Sequence, residues 1–289
     1  MKVKELVKQM ENAGFQATQI GKATSILKRM KKEKATIFLT FTSNMVSSGL
    51  REIFAFLVKE KFVDVIITTI GSLEEDFIKS KMPFLLGDFD ADDIALEKKG
   101  INRIGNIFVP NNRYKFLERK IQPILLKMYK QKKVWKPYEF AEILGKNLDD
   151  KNSFLYWCAK NKIPIFCQAV TDGAIGLQLY FFKQRYKDFV IDETGEEKLV
   201  EITLNAKKTG GIILGGGVAK HHAIGVNILR GGFDYAIYIT TATEYDGSLS
   251  GARTKEAISW SKIKKGKFNH ITIKGDATVI FPLLVAGCF

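Results

Sequence analysis

Along the chain, segments whose apolar residues recur every three or four positions trade places with short, nearly unbroken apolar runs. The first pattern predicts amphipathic helices, the second buried strands. Val3–Ala13 has helical spacing, and Gly14 supplies its stop. Ala17–Met30 predicts a second helix, trailing into Lys31-Lys32-Glu33-Lys34. Ala35–Thr42 is rich in strand formers, and a helix is expected from near Val46. Val63–Thr69 predicts another strand, running through Ile70-Gly71-Ser72 into a helix opened by Glu74 and Glu75. Ile104–Val109 reads as a short strand, Pro110-Asn111-Asn112 as a turn and Tyr114–Lys130 as a long helix. Lys133–Pro137 is a basic connection, followed by helices over Tyr138–Leu144 and Ser153–Lys160. Strands are predicted at Ile163–Val170, Gly210–Leu214 and Tyr235–Thr241. A helix is predicted over Ala252–Lys262, and Ala277–Phe281 is read as the last strand.

Strands alternating with helices, with small polar residues at the strand ends, predict an α/β fold: a mostly parallel sheet covered by helices on both faces. Residues 1–34 form a helical segment ahead of a domain spanning 35–289, within one domain overall. No Gly/Ser-rich linker or internal repeat interrupts it.

Composition narrows the function classes. The chain has 289 residues and a formal charge of +14. Basic clusters at Lys28–Lys34, Lys127–Lys136 and Lys262–Lys267 are mostly lysine and carry no RNA-binding motif. A solvated surface is expected rather than a nucleic-acid partner, and an acidic small molecule such as a pyrophosphate would profit from the positive field. No apolar run is long enough to span a membrane, and Met1-Lys-Val-Lys-Glu-Leu6 lacks the apolar core of a signal peptide. Cys158, Cys167 and Cys288 show no metal spacing and fit a reducing cytoplasm.

The candidate chemistry sits at strand ends. Thr42-Ser43-Asn44 follows one strand and leads to a helix whose free amides suit a phosphate. Glu74 and Glu75 either stabilise the first turn of their helix or contact a cation or amide. Asp172, in Thr171-Asp172-Gly173, either receives a ribose hydroxyl pair or forms a plain turn. Gly215-Gly216-Gly217 lets backbone approach a ligand closely, without the ending of a P-loop or a full dinucleotide fingerprint. His221 follows as a possible acid or base. His221 and His222 are adjacent and lack zincin spacing, so no metal is expected; His270 reads as structural. Asp246-Gly247-Ser248 supplies turn chemistry, and beyond it Glu256, Trp260 and Lys262 crowd together. A lysine beside a tryptophan can be a desolvated nucleophile, or a surface residue snorkelling past an aromatic ring.

Gly251-Ala-Arg-x-x-Glu256-Ala-x-Ser-Trp260-x-Lys262 resembles the signature of deoxyhypusine synthase. Phe15-Gln-Ala-Thr18, Phe41-Thr-Ser-Asn-Met-Val-Ser-Ser-Gly49, Glu74-Glu-Asp-Phe-Ile-Lys79, Asn102-Arg-Ile-Gly-Asn106, Thr171-Asp-Gly173, Ile212-Ile-Leu-Gly-Gly-Gly-Val-Ala-Lys-His-His222 and Asp276-Ala277 fall in that family's order. The resemblance implies a Rossmann-like domain, a cytoplasmic homotetramer and NAD as cofactor. It implies transfer of the aminobutyl group of spermidine, through an enzyme-lysine imine, to a lysine of the translation factor 5A precursor. On matching positions, Lys262 would form the imine, Trp260 would pack on the amine and His221 would assist proton transfer. Glu74, Glu75, Glu256, Gly247 and Ser248 would meet the substrate. Ser43, Asn44, Ser47, Thr69, Gly71, Glu75, Asp172, Gly216, Thr241, Ala242, Asp276 and Ala277 would meet NAD.

The sequence also departs from the family. Leu177 and Leu249 stand where the family has amine-binding aspartates, and Ile70 stands beside the expected nicotinamide position. Gly225 replaces an asparagine. Loss of two carboxylates opens a second reading, another amine donor or acceptor as in homospermidine formation, and a third, a non-catalytic NAD-binding subunit.

Overall fold

The computed structural model describes residues 2–266 and 268–289. Met1 and Lys267, the first residue of the N-terminal stretch and the last of the third basic cluster, lie outside the described residues. The chain gathers into two compact units. One takes in the chain up to Thr42, Glu60–Thr68 and Glu196 onward; the other holds Ser43–Lys59 and Thr69–Gly195.

The first unit is built on parallel strands: β1 (Thr36–Thr40), β2 (Val65–Thr69), β3 (Thr209–Leu214), β4 (Tyr235–Thr240) and β5 (His270–Lys274). Their spatial order is β5-β4-β3-β1-β2, and every pairing is parallel. β3 and β4 are buried at every residue, which is why they read as unbroken apolar runs. Helices surround the sheet. The Phe15–Lys32 helix buries Ile20, Ala23, Ile26, Leu27 and Met30. A Cβ at Gly210 would meet the Met30 sulfur, so this helix and β3 approach to glycine distance. The parallel α/β expectation holds.

Three boundaries in this unit differ from the sequence reading. Ala277–Phe281 is not a strand: Ala277–Ala286 is a helix, capped by the Asp276 carboxylate accepting from the Thr278 amide at 2.8 Å. Its stretch is apolar at nearly every position, so no periodicity separates helix from strand there. The last strand is β5 instead, with His270 as its first residue. The helix predicted to reach Lys262 spans only Thr254–Ser259. Ser261 adopts a positive φ of 56°, which ends the helix and turns Lys262 away from its axis.

The second unit is mainly helical. The helix expected from near Val46 comes as a single turn, Asn44–Ser47, followed by Leu50–Lys59. Glu74 and Glu75 do not open their helix either. It starts at Ile70, putting both carboxylates a turn inside, where they are buried rather than at the dipole end. Ile104–Val109 resolves into two antiparallel strands, Ile101–Ile104 and Ile107–Pro110, around Gly105 at φ 59°. The Lys133–Pro137 connection contains a short strand, Val134–Trp135, parallel to Val190–Ile191. Arg51, buried, holds the buried Asp76 and reaches Asp150 at 2.6 Å. The second Asp76 oxygen accepts from Ser153 Oγ at 2.6 Å and the Leu155 amide at 2.9 Å. Cys158 and Cys167 lie in this unit's core, and burial pushes both thiols well above their ordinary range.

Candidate active site

In the first unit, a cavity of about 280 Å³ opens beside the carboxyl end of β4. Lys220, His221, Tyr238, Leu249, Arg253, Glu256, Trp260 and Lys262 are among its lining residues. Each arrives by a local rule. The Gly217–Val226 helix starts directly after β3 and presents Lys220 and His221. Tyr238 comes from β4. The Thr254–Ser259 helix carries Glu256, and Trp260 is its C-cap. Lys262 is fixed from both sides: its amide donates to the Ala257 carbonyl at 2.9 Å, and its carbonyl accepts from the Phe233 amide at 3.0 Å.

Two lysines share this cavity in opposite states. The Lys220 ammonium is locked, donating to the Leu249 carbonyl at 2.7 Å and the Ala252 carbonyl at 2.9 Å. It also stands 4.4 Å from the centre of the Tyr238 ring, and burial pulls its pKa down to about 8. The Lys262 side chain has neither a hydrogen bond nor an ion pair among the described residues, and faces the Trp260 ring at 5.3 Å. Among the described residues, Glu256 is the single carboxylate lining the cavity, which Lys220, Arg253 and Lys262 also line. The Tyr238 hydroxyl is buried and makes no hydrogen bond within the described structure. Lys220 and Tyr238 were not singled out from the sequence as cavity residues. A lysine ahead of two histidines on a short helix and a tyrosine in an apolar strand carry no local sign of what they touch.

Gly247 and Ser248 lie on the exposed turn before this wall, where Ser248 caps the following 3-10 turn by accepting from the Ser250 amide. Asp246 organises the turn, accepting from Ser248 N at 2.9 Å. Gly251 has no room for a side chain, because a Cβ there would overlap the Thr243 carbonyl.

The carboxyl ends of β3, β4 and β5 gather another set. Gly215 and Gly217 adopt φ of 75° and 67°, and a Cβ at either would meet nothing within 4 Å. This leaves an open backbone concavity at a helix N-terminus, where anions are favoured. Gly216 lies between them against Ser250. Thr241 and Ala242 extend β4, and the Ala242 amide donates to Thr240 Oγ1 at 3.1 Å. Asp276 and Ala277 follow β5. At the same edge, Thr40 of β1 has a buried hydroxyl oxygen with no partner among the described residues. Backbone amides, a carboxylate and hydroxyls along a parallel sheet's carboxyl edge suit a dinucleotide.

The second unit holds the remaining candidates. Ser47 Oγ donates to Glu75 at 2.6 Å. Burial and the neighbouring Glu74 charge raise the Glu75 pKa to about 8, against the pull of Ser47. Glu74, also raised by burial, accepts from the Ile175 amide at 2.8 Å. Tyr114 feels both carboxylates, and burial with their charge lifts it to about 12. Gly71 abuts Ser43, and Thr69 occupies the N-cap position of the Ile70–Lys79 helix without a side-chain capping bond. Asn44 and Asp172 are exposed. Ile70 is fully buried and packs beneath Gly173. Leu177 stands 59% exposed on the Ala174–Arg185 helix, so its side chain covers no core.

Among the described residues, no cluster of three metal-ligating side chains occurs, and no helix is long and apolar enough to cross a membrane. His222 is paired instead with Glu196 at 2.6 Å.

Comparison with known proteins bears on the whole chain. The family model for deoxyhypusine synthase matches residues 5–288. A protein of Halobacterium salinarum named probable deoxyhypusine synthase is 50% identical, over 99% of this chain and 88% of its own length. One of Pyrococcus furiosus with the same name is 49% identical, over 98% of this chain and 89% of its own. A crystal structure from Entamoeba histolytica, described as a candidate deoxyhypusine synthase, superposes with a TM-score of 0.70 at 25% identity, covering 99% of this chain and 92% of that one. With half the residues shared along essentially its full length, this chain belongs to the deoxyhypusine synthase family.

Proposed function

We propose that this chain is an NAD-dependent aminobutyl transferase that carries the aminobutyl group of spermidine, as an imine on Lys262 formed with release of 1,3-diaminopropane, to a lysine of the translation factor 5A precursor. The observation that carries the reading is the contrast between the cavity's two lysines. Lys220 is held by two carbonyls, whereas Lys262 is unpaired beside a ring and available to attack a carbon.

The residues divide the work. Trp260, 65% exposed, offers an apolar face to an alkyl chain, and Glu256 offers the charge that holds an ammonium. His221, exposed at the cavity's rim, takes the proton that Lys262 sheds before it bonds to the donor carbon, and returns one when the imine exchanges to the acceptor amine. NAD, when bound, supplies the oxidation of the donor amine and the final reduction of the imine. The Gly215–Gly217 concavity would take its phosphates, and Asp276, Thr241 and Ala242 would contact it from the same edge. Ser43, Asn44, Ser47, Thr69, Gly71, Glu75 and Asp172 are proposed as dinucleotide contacts on the family's pattern alone. A cytoplasmic homotetramer is proposed from the family.

Leu249 favours a second reading. It lines the cavity where an aspartate would pair with an ammonium, leaving one wall carboxylate among three cations. A donor or acceptor with fewer charges, as in homospermidine formation, fits that wall better.

Borohydride trapping with NAD and spermidine, followed by mass mapping, separates these readings. An aminobutyl adduct on Lys262, absent from Lys262→Ala, supports spermidine as the donor, and transfer from that adduct to the factor 5A precursor rather than to a free diamine then supports the first. An adduct from putrescine or another amine alone supports the second. No adduct from any amine, with NAD still bound, sinks both.

A further inference from the structure

We infer that Lys220 is the positioning residue of the amine cavity: its side chain holds the Leu249–Ala252 turn, and the wall that follows it, against the helix that presents His221. A buried lysine is costly unless its donors are used. Lys220 is 1% exposed and spends two of its three donors on consecutive-turn carbonyls, at 2.7 and 2.9 Å. The third side of the ammonium faces the Tyr238 ring. Neither carbonyl is part of a sheet ladder, and the turn is otherwise closed by its own short bonds, Gly251 N to Ser248 O and Ala252 N to Leu249 O. Cutting the lysine would therefore free the turn without removing a strand or helix. What the turn places matters: Leu249 is itself a wall residue, and Ala252 leads directly through Arg253 into the helix carrying Glu256 and Trp260.

The tether also responds to pH. Glu256 across the cavity favours the ammonium, Lys274 of β5 opposes it, and burial outweighs both. Arg253, Lys262, His221 and the Tyr238 hydroxyl border the same space. As pH rises past about 8, Lys220 passes from a charged to a neutral donor, and its carbonyl bonds weaken without vanishing. Rising pH thus loosens the wall that aims the donor at Lys262.

This rests on the cavity being the amine site, so one arm of the test needs no amine. Hydrogen exchange of the 249–252 amides is compared in the full-length protein and in Lys220→Met and Lys220→Arg. In Lys220→Met exchange should quicken about tenfold or more there and little elsewhere, with partial recovery in Lys220→Arg. In the second arm, the amine concentration that half-saturates Lys262 trapping should rise about tenfold in Lys220→Met, with yield at saturation within twofold. Unchanged exchange and unchanged half-saturation in folded Lys220→Met would overturn the assignment and leave Lys220 as core filling. If Lys220→Met does not fold, the unaltered protein decides. Between pH 7 and 9 its 249–252 amides should lose protection beyond the intrinsic rise in exchange, and no excess loss would overturn the inference. Trapping that fails in the unaltered protein, with the exchange result intact, would fault the amine reading and not the tether.

Discussion

Glu75 shows how far a residue's chemistry can depart from what its letter suggests. In sequence, two adjacent glutamates after a strand resemble a dipole-stabilising pair. In the fold, Glu75 is 5% exposed, one Ser47 hydrogen bond from being unpartnered, and raised to about 8. Its folded pKa lies above the unfolded value, so the folded state keeps a proton that the unfolded chain has lost. The stability it contributes is full below about pH 4.5 and is lost as pH rises toward 8, by about 1.4 kcal/mol per pH unit. Glu75→Gln should flatten that slope in denaturant titrations at stepped pH; an identical slope would show that Glu75 ionises normally. Leu249 makes the companion prediction. Leu249→Asp places a second carboxylate on the wall with Glu256, and the spermidine concentration needed for half-maximal Lys262 trapping should fall about tenfold. No change would mean that Leu249 does not set donor choice. The Lys262 motif was legible because its residues are chemically distinctive and close in sequence. Lys220 was not, because its partners are main-chain carbonyls about 30 residues away, and main-chain groups leave no mark in a sequence.

At the scale of elements, the strands were the clearest part of the sequence. β3 and β4 are buried from end to end and carry a polar residue only at one end, Thr209 and Thr240, and their predicted edges fall within a residue of those observed. The Ala277–Ala286 helix failed the same test for a physical reason: it buries one face, Ala277, Ile280, Phe281, Leu284 and Val285, but its outer face carries Val279, Pro282 and Leu283, so few polar residues reveal its period. The usable sign is Asp276, a helix-capping residue type directly ahead of the run, which the family resemblance marks as an NAD contact. Asp276→Ala should cost about 1 kcal/mol through loss of the Thr278 amide's acceptor. Thermal denaturation checks this, and a neutral result would mean that water replaces the cap. If Asp276 also contacts NAD, dinucleotide affinity should fall by more than the same cap lost elsewhere would explain. Asp92→Ala serves as that control, since Asp92 caps the Asp93–Lys98 helix by accepting from Ile94 and Ala95.

For the molecule as a whole, family membership and the parallel α/β class were readable from one sequence, because motifs spread over most of the chain constrain a fold more than any single motif. The division into two compact units was not, since each unit is assembled from separated stretches. Stability at this scale leans on buried charge. Asp76 is fully buried and accepts from Arg51, Ser153 and Leu155. Asp76→Asn leaves the Arg51 guanidinium short of its main counter-charge, at about 3–5 kcal/mol, a large share of the 5–15 kcal/mol typical of a folded domain. The urea midpoint should drop accordingly. A shift below about 1 kcal/mol would show that Asp150 suffices for Arg51.

The three cysteines offer a chemical handle. Cys158 and Cys167 are 2% and 1% exposed, and Cys288 is held to a pKa of about 11 by burial. Near pH 8.5 almost none of these thiols is present as the reactive thiolate. A cysteine placed at position 262 would meet solvent at the cavity mouth and react first with 2-bromoethylamine, rebuilding a lysine-like side chain with sulfur in place of one methylene. Activity lost in Lys262→Cys and regained on aminoethylation would then report on one amine among 45 basic side chains, without any other residue being touched.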